Sequence, residues 1–505
     1  MNPSSPRWAL RSSTFRQAET RQLARWVAAG DSACVLGHGG SGKSNFLAAL
    51  AARPERLAEG LPPQQRLCVA AADLNGLPAD DLGTFYRFLL RALRDAAGQL
   101  PDDQASLLRA TFQEQLIQGD PFVVQTALYD VLDAILGEAA RLVFLFDRFD
   151  GFLRAAPPQL LDGLRALRDR HKGSVSYLVG LRQALVYQDD AQHLGELYEV
   201  LDRRQLWIGP LDDEAAQALL AEEWPALAPA LGDPAGPDAD LAASWPMAIL
   251  QACGGHPALL KAACGHLSAR DAAALGSPED LGAFLLGQDP VTFRLAELWE
   301  GLTQSEQATL QELHRLSERA KAVAAGGSVS GPAADRLIGE AWARLRRDQA
   351  PSLALLAAKG LIQARADGSW HCPIGLLGPW LSGSAAPSGG LGRLWQDASS
   401  GELLQGQRPL TTLANLERRL LESLLAQPRR RVAKSSLIEQ VWPEDAVRAG
   451  VMDDALYQVI KELRRKIEPD PARPVYLVTY RAQPEGGYQL FPEGRPQAEA
   501  VSGAG

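Results

Sequence analysis

The residues Gly37 to Ser44, GHGGSGKS, constrain the fold of this chain more than any other feature of its sequence. They follow an apolar run, DSACVL, and precede a helical pattern, KSNFLAALAA, so the local order is strand, loop and helix. In this context the glycines let backbone N–H groups close around phosphate oxygens, and the start of the following helix favours negative charge. The segment therefore predicts an α/β P-loop domain, with a parallel sheet and flanking helices, that binds a nucleotide.

The phosphate loop assigns a role to each of its residues. Lys43 has the position that reaches the terminal phosphates, and Ser44 has the position that binds Mg²⁺. The predicted cofactors are ATP or ADP with Mg²⁺. The residues expected to contact the nucleotide here are Gly37, His38, Gly39, Gly40, Ser41, Gly42, Lys43, Ser44 and Asn45.

Three further apolar runs predict the rest of the sheet, namely residues 66–74, 141–147 and 175–181. Long helical stretches separate them, and buried parallel strands with crossover helices fit this order. After residue 210 the segments have the pattern of short amphipathic helices, so an all-helical lid is expected to follow the sheet.

Charged residues at the ends of two of these runs are candidates for the chemistry. Asp147 follows five apolar residues and is the predicted Mg²⁺ ligand, since a phosphate loop works with an acidic residue at the end of a buried strand. Asp150 either orients the attacking water or caps the next helix. Arg182 either senses the phosphates or forms a surface salt bridge. Lys43, Asp147, Asp150 and Arg182 form the predicted catalytic set.

With 505 residues, the chain is too long for one hydrophobic core. Two linker-like segments and the change from strand to helix patterns suggest the boundaries. The predicted parts are a P-loop domain (1–209), a helical lid (210–296), a first winged helix (297–382), a flexible linker (383–408), a second winged helix (409–493) and a disordered tail (494–505).

The bulk properties restrict the function. A net charge of −9 argues against a protein that coats nucleic acid with its whole surface, so any DNA contact must be local. No run of about 18 apolar residues and no signal-peptide core is present, which predicts a cytoplasmic protein without a membrane partner, associated with the nucleoid when active. Five scattered cysteines predict reduced, buried thiols.

The segment Val451 to Ile467 predicts a DNA-reading helix. Its apolar residues recur at helical spacing and bury one face; they are Met452, Leu456, Val459, Ile460, Leu463 and Ile467. The opposite face has donors suited to base edges and phosphates, namely Tyr457, Gln458, Lys461, Arg464 and Arg465. The alternative is a solvated basic helix end. From Leu410 to Gly494 there are 13 Lys and Arg against 12 Asp and Glu, so one copy should bind DNA weakly.

The order of motifs from Arg11 to Leu381 resembles the STAND class of signal-transduction ATPases, within the wider AAA-like P-loop enzymes. FRQAE at Phe15 to Glu19 is similar to that family's short motif before the first strand. DRFDGF looks like its acidic motif at a strand end, with Asp147 and Asp150 at the acidic positions, and GLRQAL resembles its sensor strand with Arg182.

Further motifs extend this resemblance through the lid. IGPLDDEAAQALL, from Ile208 to Leu220, looks like the hinge, and GGHPALLKAACGHL resembles a lid motif that places His256 and Pro257 near the nucleotide. Taken alone, Gly-Gly-His-Pro is also a plain helix start. Many AAA enzymes have Glu after the Mg²⁺-binding Asp, whereas this chain has Arg148. The resemblance therefore implies a slow ATPase switch, in which ADP keeps the lid closed and ATP permits opening and self-association.

From Leu410 to Phe491 the chain resembles the OmpR/PhoB-type winged-helix regulators. The resemblance rests on SSLIEQVW, on VMDDALYQVIKELRRKIEPDP and on VYLVTYRAQPEGGYQL. It implies that the recognition helix enters the major groove of double-stranded DNA and that Arg481, in the hairpin, lies at the backbone or in the minor groove. The hairpin is longer here than the usual T-x-R-G-x-G-Y turn of that family.

Two functions remain open from the sequence. The first is a regulatory ATPase that responds to an unseen signal, from a protein or a small molecule, and controls transcription through the C-terminal module. The second is an ATP-dependent loader or adaptor, in a defence or mobile-element system, whose winged helices bind proteins. A metabolic enzyme is disfavoured, because no Ser/His/Asp, Cys/His or metal-ligand grouping has suggestive spacing.

Overall fold

The computed structural model describes residues 15–136, 140–231, 239–267, 271, 275, 277–325, 332–383, 391–396, 401–406, 408–442, 453–481 and 485–496. The chain divides into two compact units, residues 1–291 and 292–505. The predicted boundaries are finer than this division, and apart from the linker they stay predictions.

A five-stranded sheet forms the centre of the first unit. Its strands are β1 (Ala33–Leu36), β2 (Arg66–Asp73), β3 (Ala140–Asp147), β4 (Val175–Leu181) and β5 (Gln205–Trp207). All pairings are parallel and the order is β2-β3-β4-β1-β5. The four apolar runs thus form strands as predicted, and the short β5 is a strand that the sequence analysis missed.

Helices cover both faces of this sheet, as the near-continuous apolar strands require. They are α1 (Gln17–Ala28), α2 (Lys43–Ala52), α3 (Glu55–Ala58), α4 (Leu82–Asp95), α5 (Asp102–Gln115), α6 (Pro121–Leu136), α7 (Phe149–Ala155), α8 (Pro158–Arg170) and α9 (Leu197–Asp202). Every residue of β1 and β4 is buried. The predicted α/β fold, a parallel sheet with flanking helices, is confirmed.

The strand order determines which residues meet at the carboxyl edge of the sheet. β4 lies between β1 and β3, with Leu36 opposite Leu181. The phosphate loop after β1, Asp147 at the end of β3 and Arg182 after β4 therefore lie at one edge. This edge is where open α/β sheets bind ligands.

After β5 every described element of the first unit is helical, as predicted for the lid. The helices are α10 (Asp213–Leu231), α11 (Ala239–Cys253), α12 (Pro257–His266) and α13 (Leu281–Leu286), and α14 (Asp289–Glu300) crosses the boundary between the units. Pro257 is the first residue of α12, where its missing N–H costs nothing.

The second unit begins with helices and a small wing, as predicted. The elements are α15 (Gln304–Ala324), α16 (Pro332–Asp348), α17 (Ala350–Ala358), the hairpin β6 (Gln363–Ala364) with β7 (Trp370–His371), and α18 (Leu377–Ser382). Inside it, Lys359 and Glu306 form an ion pair at 2.6 Å, and both side chains are almost fully buried.

In the described residues, the C-terminal module contains three helices and a hairpin. Its helices are α19 (Asn415–Leu425), α20 (Lys434–Val441) and α21 (Asp453–Ile467); its strands β11 (Arg431–Ala433), β12 (Leu477–Tyr480) and β13 (Gly487–Leu490) pair in the order β11-β13-β12. Leu456, Ile460, Leu463 and Ile467 are buried as the helical spacing predicts, and Val459 is partly buried. Met452, the hairpin residues 482–484 and most of the predicted tail lie outside the described residues.

The predicted linker from 383 to 408 is wrong for much of its length. Strands β8 (Leu394–Gln396), β9 (Leu403–Gln405) and β10 (Arg408–Pro409) form a separate antiparallel sheet. The reason is burial: Leu394 and Leu403 belong to the same hydrophobic core as α19 and α21. This part of the chain therefore belongs to the C-terminal module and is not a free tether.

Within the second unit, the segment Phe491–Arg495 packs against the start of α15. The Ser305 N–H donates to the Glu493 carbonyl at 2.9 Å. Gly494 has φ +74°, and a Cβ built there would lie 2.8 Å from the Gln304 side chain. The polar residues from Thr303 to Gln307 are correspondingly at most 4% exposed. We call residues Phe491–Arg495 the docking segment, because they join the C-terminal module to the first winged helix.

Candidate nucleotide site and nucleic-acid interface

The phosphate loop has the backbone geometry that its glycines permit. Gly40 and Gly42 have φ values of +74° and +86°, in the left-handed region that side chains disfavour. Gly42 caps α2, and Lys43 is the first residue of that helix. The N-terminus of α2 therefore points into the cradle that the loop forms, with Ser44 exposed and Asn45 half-buried.

Lys43 lies in this cradle with only 8% of its surface exposed. Burial lowers the pKa of its ammonium group to about 8, which the carboxylates of Asp150 and Asp147 partly oppose. Arg182 lowers the pKa further, so its guanidinium lies within electrostatic range of Lys43. A buried cation of this kind is suited to a phosphate, because a nearby anion restores the charged form.

Asp147 is 4% exposed at the end of β3. Its Oδ1 accepts a hydrogen bond from the Arg148 N–H at 2.9 Å. Gly180 of β4 provides the space, since a Cβ there would lie 3.0 Å from that oxygen and 2.8 Å from Leu47. A carboxylate held beside the buried Lys43 is suited to a Mg²⁺ ion bound to phosphate oxygens.

Asp150 is hydrogen-bonded to the end of β4. Its Oδ1 accepts from the Arg182 N–H at 2.9 Å and from the Gln188 Nε2 at 3.1 Å. The carboxylate thus fixes the backbone where Arg182 begins. The cap of the next helix, the alternative considered for Asp150, is not its observed hydrogen bond. Arg182 and Gln188 both follow β4, and no motif in the sequence pointed to Gln188.

Arg148 occupies the position after Asp147 with φ +57°. Its side chain is more than half exposed and lies 3.5 Å from Asp73 at the end of β2. The guanidinium is thus directed toward the neighbouring strand end. A cation at this position cannot accept a proton from an attacking water, whereas a glutamate could.

The lid contacts the phosphate loop directly. The Ala258 N–H, in the first turn of α12, donates to the Gly40 carbonyl at 3.2 Å. The His256 Nδ1 accepts from the Leu259 N–H at 3.4 Å and so caps α12, while Pro257 lies 3.5 Å from a Cβ built at Gly42. His256 and Pro257 therefore both start a helix and lie against the loop, so the two alternatives for this motif coincide.

Two side chains at this site, His38 and Arg16, make contacts that no local motif could show. The His38 ring is buried and lies 5.5 Å from the Trp207 ring of β5. Arg16, in the motif FRQAE, is 4% exposed and reaches the phosphate loop. Its contacts were invisible from sequence because its two carbonyl partners lie far along the chain.

The residues fit a nucleotide with Mg²⁺. Gly40 and Gly42 have φ values that side chains disfavour, the buried Lys43 lies in the loop, and Asp147 with Ser44 supplies oxygen ligands. In the described part of the chain no cluster of three or more His, Cys, Asp or Glu could hold a metal by itself. A Mg²⁺ ion held partly by phosphate oxygens needs no such cluster.

The predicted DNA face of α21 is largely exposed. Tyr457 is 42% exposed, and Gln458, Lys461, Arg465 and Arg481 are also exposed. The Tyr457 hydroxyl accepts from Lys434 Nζ at 2.6 Å, and Arg465 forms a surface ion pair with Glu462 at 2.7 Å. Such a surface pair is worth little and can open when a phosphate competes.

The prediction that Arg464 lies on the free DNA face is corrected. Its guanidinium donates to the Leu477 carbonyl at 2.7 and 2.9 Å and to the Thr479 hydroxyl at 2.8 Å. Burial lowers its pKa. Arg464 therefore ties the hairpin to α21, with its guanidinium engaged by the hairpin and not directed away from the module. The helical spacing could not show this, because the partner carbonyl belongs to β12.

Carboxylates also lie on this surface. Glu485 of the hairpin accepts from the Ser435 N–H at 2.7 Å, at the start of α20, and Asp453 pairs with Lys434 at 2.7 Å. On this surface, groups that could bind phosphates, such as Lys434 and the Ser435 N–H, are already bonded to carboxylates of the same module. This agrees with the low net charge of the module.

The C-terminal module has a recognised family. Residues 407–490 match the family described as "Transcriptional regulatory protein, C terminal". The predicted OmpR/PhoB-type winged helix is thereby confirmed for this module, which is less than a fifth of the chain.

Curated relatives align with the same part of the chain. It is 37% identical over 105 residues to Protein PetR of Rhodobacter capsulatus, which covers 20% of this chain and 43% of that protein. It is 42% identical over 79 residues to Sensory transduction protein RegX3 of Mycobacterium tuberculosis, covering 16% of this chain and 32% of that protein. The chain thus spans less than half the length of either relative.

Solved structures resemble a larger part of the chain, but at low similarity. The ORC1 protein of Aeropyrum pernix, solved in complex with DNA, covers 71% of this chain and 88% of its own, with a TM-score of 0.32 and 17% identity. The Walker-type ATPase PABY2304 of Pyrococcus abyssi gives a TM-score of 0.33 and 13% identity, covering 74% and 99%. At these scores the α/β fold rests on the topology of the chain itself.

No helix in the described ranges is long and apolar enough to cross a membrane. The five cysteines are free; Cys34, Cys68, Cys253 and Cys264 are buried as predicted, whereas Cys372 is only half-buried.

Proposed function

We propose that this protein is an ATP-dependent switch of the STAND type whose nucleotide state controls DNA binding by its C-terminal winged helix, and so transcription. The single observation that carries the proposal is the bond from the Ala258 N–H of the lid to the Gly40 carbonyl of the phosphate loop. A lid that bonds to the loop itself must respond to what the loop holds. Nucleotide exchange is then a means of moving the lid.

The site supports slow hydrolysis. A bound Mg²⁺–ATP would supply a polarised terminal phosphate, and Lys43, Ser44 and Asp147 would hold it. The Asp150 carboxylate accepts a hydrogen bond from the Arg182 N–H, and Arg148 occupies the position after Asp147 at which a glutamate could act as a general base. Because the Asp150 carboxylate is engaged by the end of β4 and Arg148 cannot act as a base, we expect long-lived ATP and ADP states, which suit a switch better than a motor.

The DNA-binding half of the proposal rests on the C-terminal module. Its family description concerns transcriptional regulatory proteins, and Gln458, Lys461 and Arg481 are exposed on the surface that such a module would present to DNA. The net charge of about +1 makes one copy a weak binder, so we infer that self-association on ATP supplies several linked copies. An unidentified protein or small-molecule signal would favour nucleotide exchange.

The nucleotide half is tested by measuring binding of fluorescent ADP and ATP analogues with Mg²⁺ and by following phosphate release. We expect binding by the wild type, loss in Lys43→Ala, and hydrolysis well below the median enzyme turnover of about 10 per second. Absence of binding in the wild type would end the proposal for both halves of the molecule.

A second candidate is an ATP-dependent loader or adaptor whose winged helices bind a protein. The acids Glu485 and Asp453 on the predicted DNA face favour it, because they repel phosphates. DNA binding that weakens steeply with salt and is lost in Lys461→Ala would reject this candidate, and Lys172→Ala serves as the control for charge alone. Salt-insensitive capture of a protein without DNA binding would favour it.

A further inference from the structure

Arg16 is tied to two distant parts of the nucleotide domain. Its Nη2 donates to the Ser41 carbonyl of the phosphate loop at 3.1 Å and to the Gly209 carbonyl at 2.7 Å. Gly209 lies between β5 and the first lid helix, in the predicted hinge. One guanidinium thus bridges the loop that would hold phosphate and the hinge on which the lid turns.

These bonds close a ring with the lid. The Leu211 N–H, two residues after Gly209, donates to the Gly255 carbonyl at 2.9 Å, and the Ala258 N–H donates to Gly40 at 3.2 Å. The ring of hydrogen bonds therefore leads from the phosphate loop to the start of α12, from there to the hinge, and through Arg16 back to the loop. The Ile208 N–H also donates to the Leu36 carbonyl at 2.6 Å, just before the loop, so Arg16 adds a side-chain link to this backbone contact.

The local structure is built to hold this side chain. Arg16 has φ +50°, in the left-handed region that residues with side chains disfavour. The Arg16 Nη1 pairs with Glu19 at 2.9 Å, and the Thr20 hydroxyl donates to the Arg16 carbonyl at 2.8 Å. Burial lowers the pKa of the guanidinium, while Glu19 supports the charged form. A strained, desolvated arginine is retained only where its surroundings fix it.

We infer that Arg16 is a positioning residue that couples the phosphate loop to the lid hinge and thereby sets the rate at which nucleotide leaves. The inference rests on the proposed nucleotide binding, but the coupling itself is present without a ligand. Arg16 touches neither phosphate nor Mg²⁺ through these bonds, since both acceptors are backbone carbonyls. It therefore acts on release more than on chemistry.

The test compares Arg16→Ala and Arg16→Lys with the wild type. Hydrogen bonds from a charged group to buried carbonyls are strong enough that we expect ADP release to be faster by about tenfold to a hundredfold in Arg16→Ala. Arg16→Lys keeps the charge but places all its N–H donors on one nitrogen, so it cannot reproduce the separate Nη1 contact with Glu19 and Nη2 contacts with the carbonyls. Its release rate should lie between those of the wild type and Arg16→Ala. The rate of the hydrolysis step in a single turnover with saturating ATP should change by less than about threefold.

Arg141→Ala is the matched control. Arg141 also donates to a backbone carbonyl, that of Gly173, but at the opposite end of the sheet. Its loss should lower stability without changing ADP release. An unchanged release rate in Arg16→Ala, or an equal increase in Arg141→Ala, overturns the inference.

Hydrogen exchange on the nucleotide-free protein separates this inference from the proposed function. We expect the Ala258 and Leu211 amides to exchange at least tenfold faster in Arg16→Ala and near the wild-type rate in Arg141→Ala. If the wild type binds no nucleotide, the proposed function and the release role both fail, while faster exchange still shows the coupling. If exchange is unchanged, the coupling itself is refuted. Arg16→Lys provides the folded variant should Arg16→Ala not fold.

Discussion

Gly40→Ala should force the lid away from the phosphate loop. A Cβ built at Gly40 lies 2.3 Å from the Ala258 Cβ and 3.3 Å from the His256 Cε1. Carbon atoms pack at about 3.5–4.0 Å, so Ala258 must retreat by about 1.2 Å or more. That movement breaks the bond between the Ala258 N–H and the Gly40 carbonyl, which holds the lid on the loop.

Two costs contribute and can be separated. Alanine in the left-handed region costs about 1–2 kcal/mol wherever it occurs. Gly173, with φ +85° and nothing within 4 Å of a built Cβ, measures this cost alone when changed to alanine. The steric contact at Gly40 should add about 1–3 kcal/mol, as overpacking does in buried sites.

The assay is a double-mutant cycle with Ala258→Gly, which removes the opposing methyl group and leaves the Ala258 Cα 3.7 Å away. We would measure the free energy of unfolding and the dissociation rate of a fluorescent ADP analogue for the wild type, both single variants and the double variant. The predicted results are faster release in Gly40→Ala and substantial recovery in the double variant. The coupling free energy should be at least about 1 kcal/mol.

A coupling free energy within about 0.5 kcal/mol of zero would refute this reasoning, because additive costs mean that the two positions do not touch. Faster release without rescue would mean that Gly40→Ala damages the phosphate loop itself. In that case the lid is not closed by this contact.

Three further predictions concern other parts of the chain. ADP affinity should fall about tenfold from pH 7 to pH 9, because a bound phosphate favours protonated Lys43 and the free protein loses that proton near pKa 8. Calorimetry should show proton uptake on binding; an affinity that does not change with pH, or the same pH dependence in Lys43→Arg, contradicts this. Gly494→Ala should lower the unfolding free energy of the second unit by about 1–3 kcal/mol more than the control Gly401→Ala, because Gly401 has a similar positive φ but no neighbour within 4 Å of a built Cβ. Equal losses of stability in urea unfolding would exclude the docking segment as a stabilising contact. Lys359→Met should lower the free energy of unfolding by about 3–5 kcal/mol, because it leaves Glu306 charged, buried and unpaired, and adding Glu306→Gln should restore much of that stability in urea unfolding. If stability is not restored, Lys359→Met acts through lost packing and not through the buried charge.

The sequence predicts those parts of the site that are built from contiguous residues. The phosphate loop and Lys43 follow from one motif, and β3 is recognisable because almost all its residues are apolar. The strand β5 has no such signal, since Gln205 is exposed and the two following residues are only half-buried. It pairs with β1, and only the assembled sheet makes it a strand.

Contacts between distant residues explain the errors. Arg464 lies at a surface position of its helix, yet a carbonyl of β12 takes its guanidinium. Arg16 and Gly209 are 193 residues apart, so no motif could connect them. The glycine- and serine-rich composition after residue 382 suggested a long linker, but Leu394 and Leu403 return the chain to the core in strands too short to show a period.

The central claim is that nucleotide state controls DNA binding, and it is tested most directly by capture of fragmented bacterial genomic DNA with ATP, with ADP and without nucleotide. The account predicts capture with ATP that exceeds capture with ADP, falls with added salt, and is lost in both Lys43→Ala and Lys461→Ala. Equal capture in all three nucleotide conditions, or capture unaffected by Lys43→Ala, would contradict it.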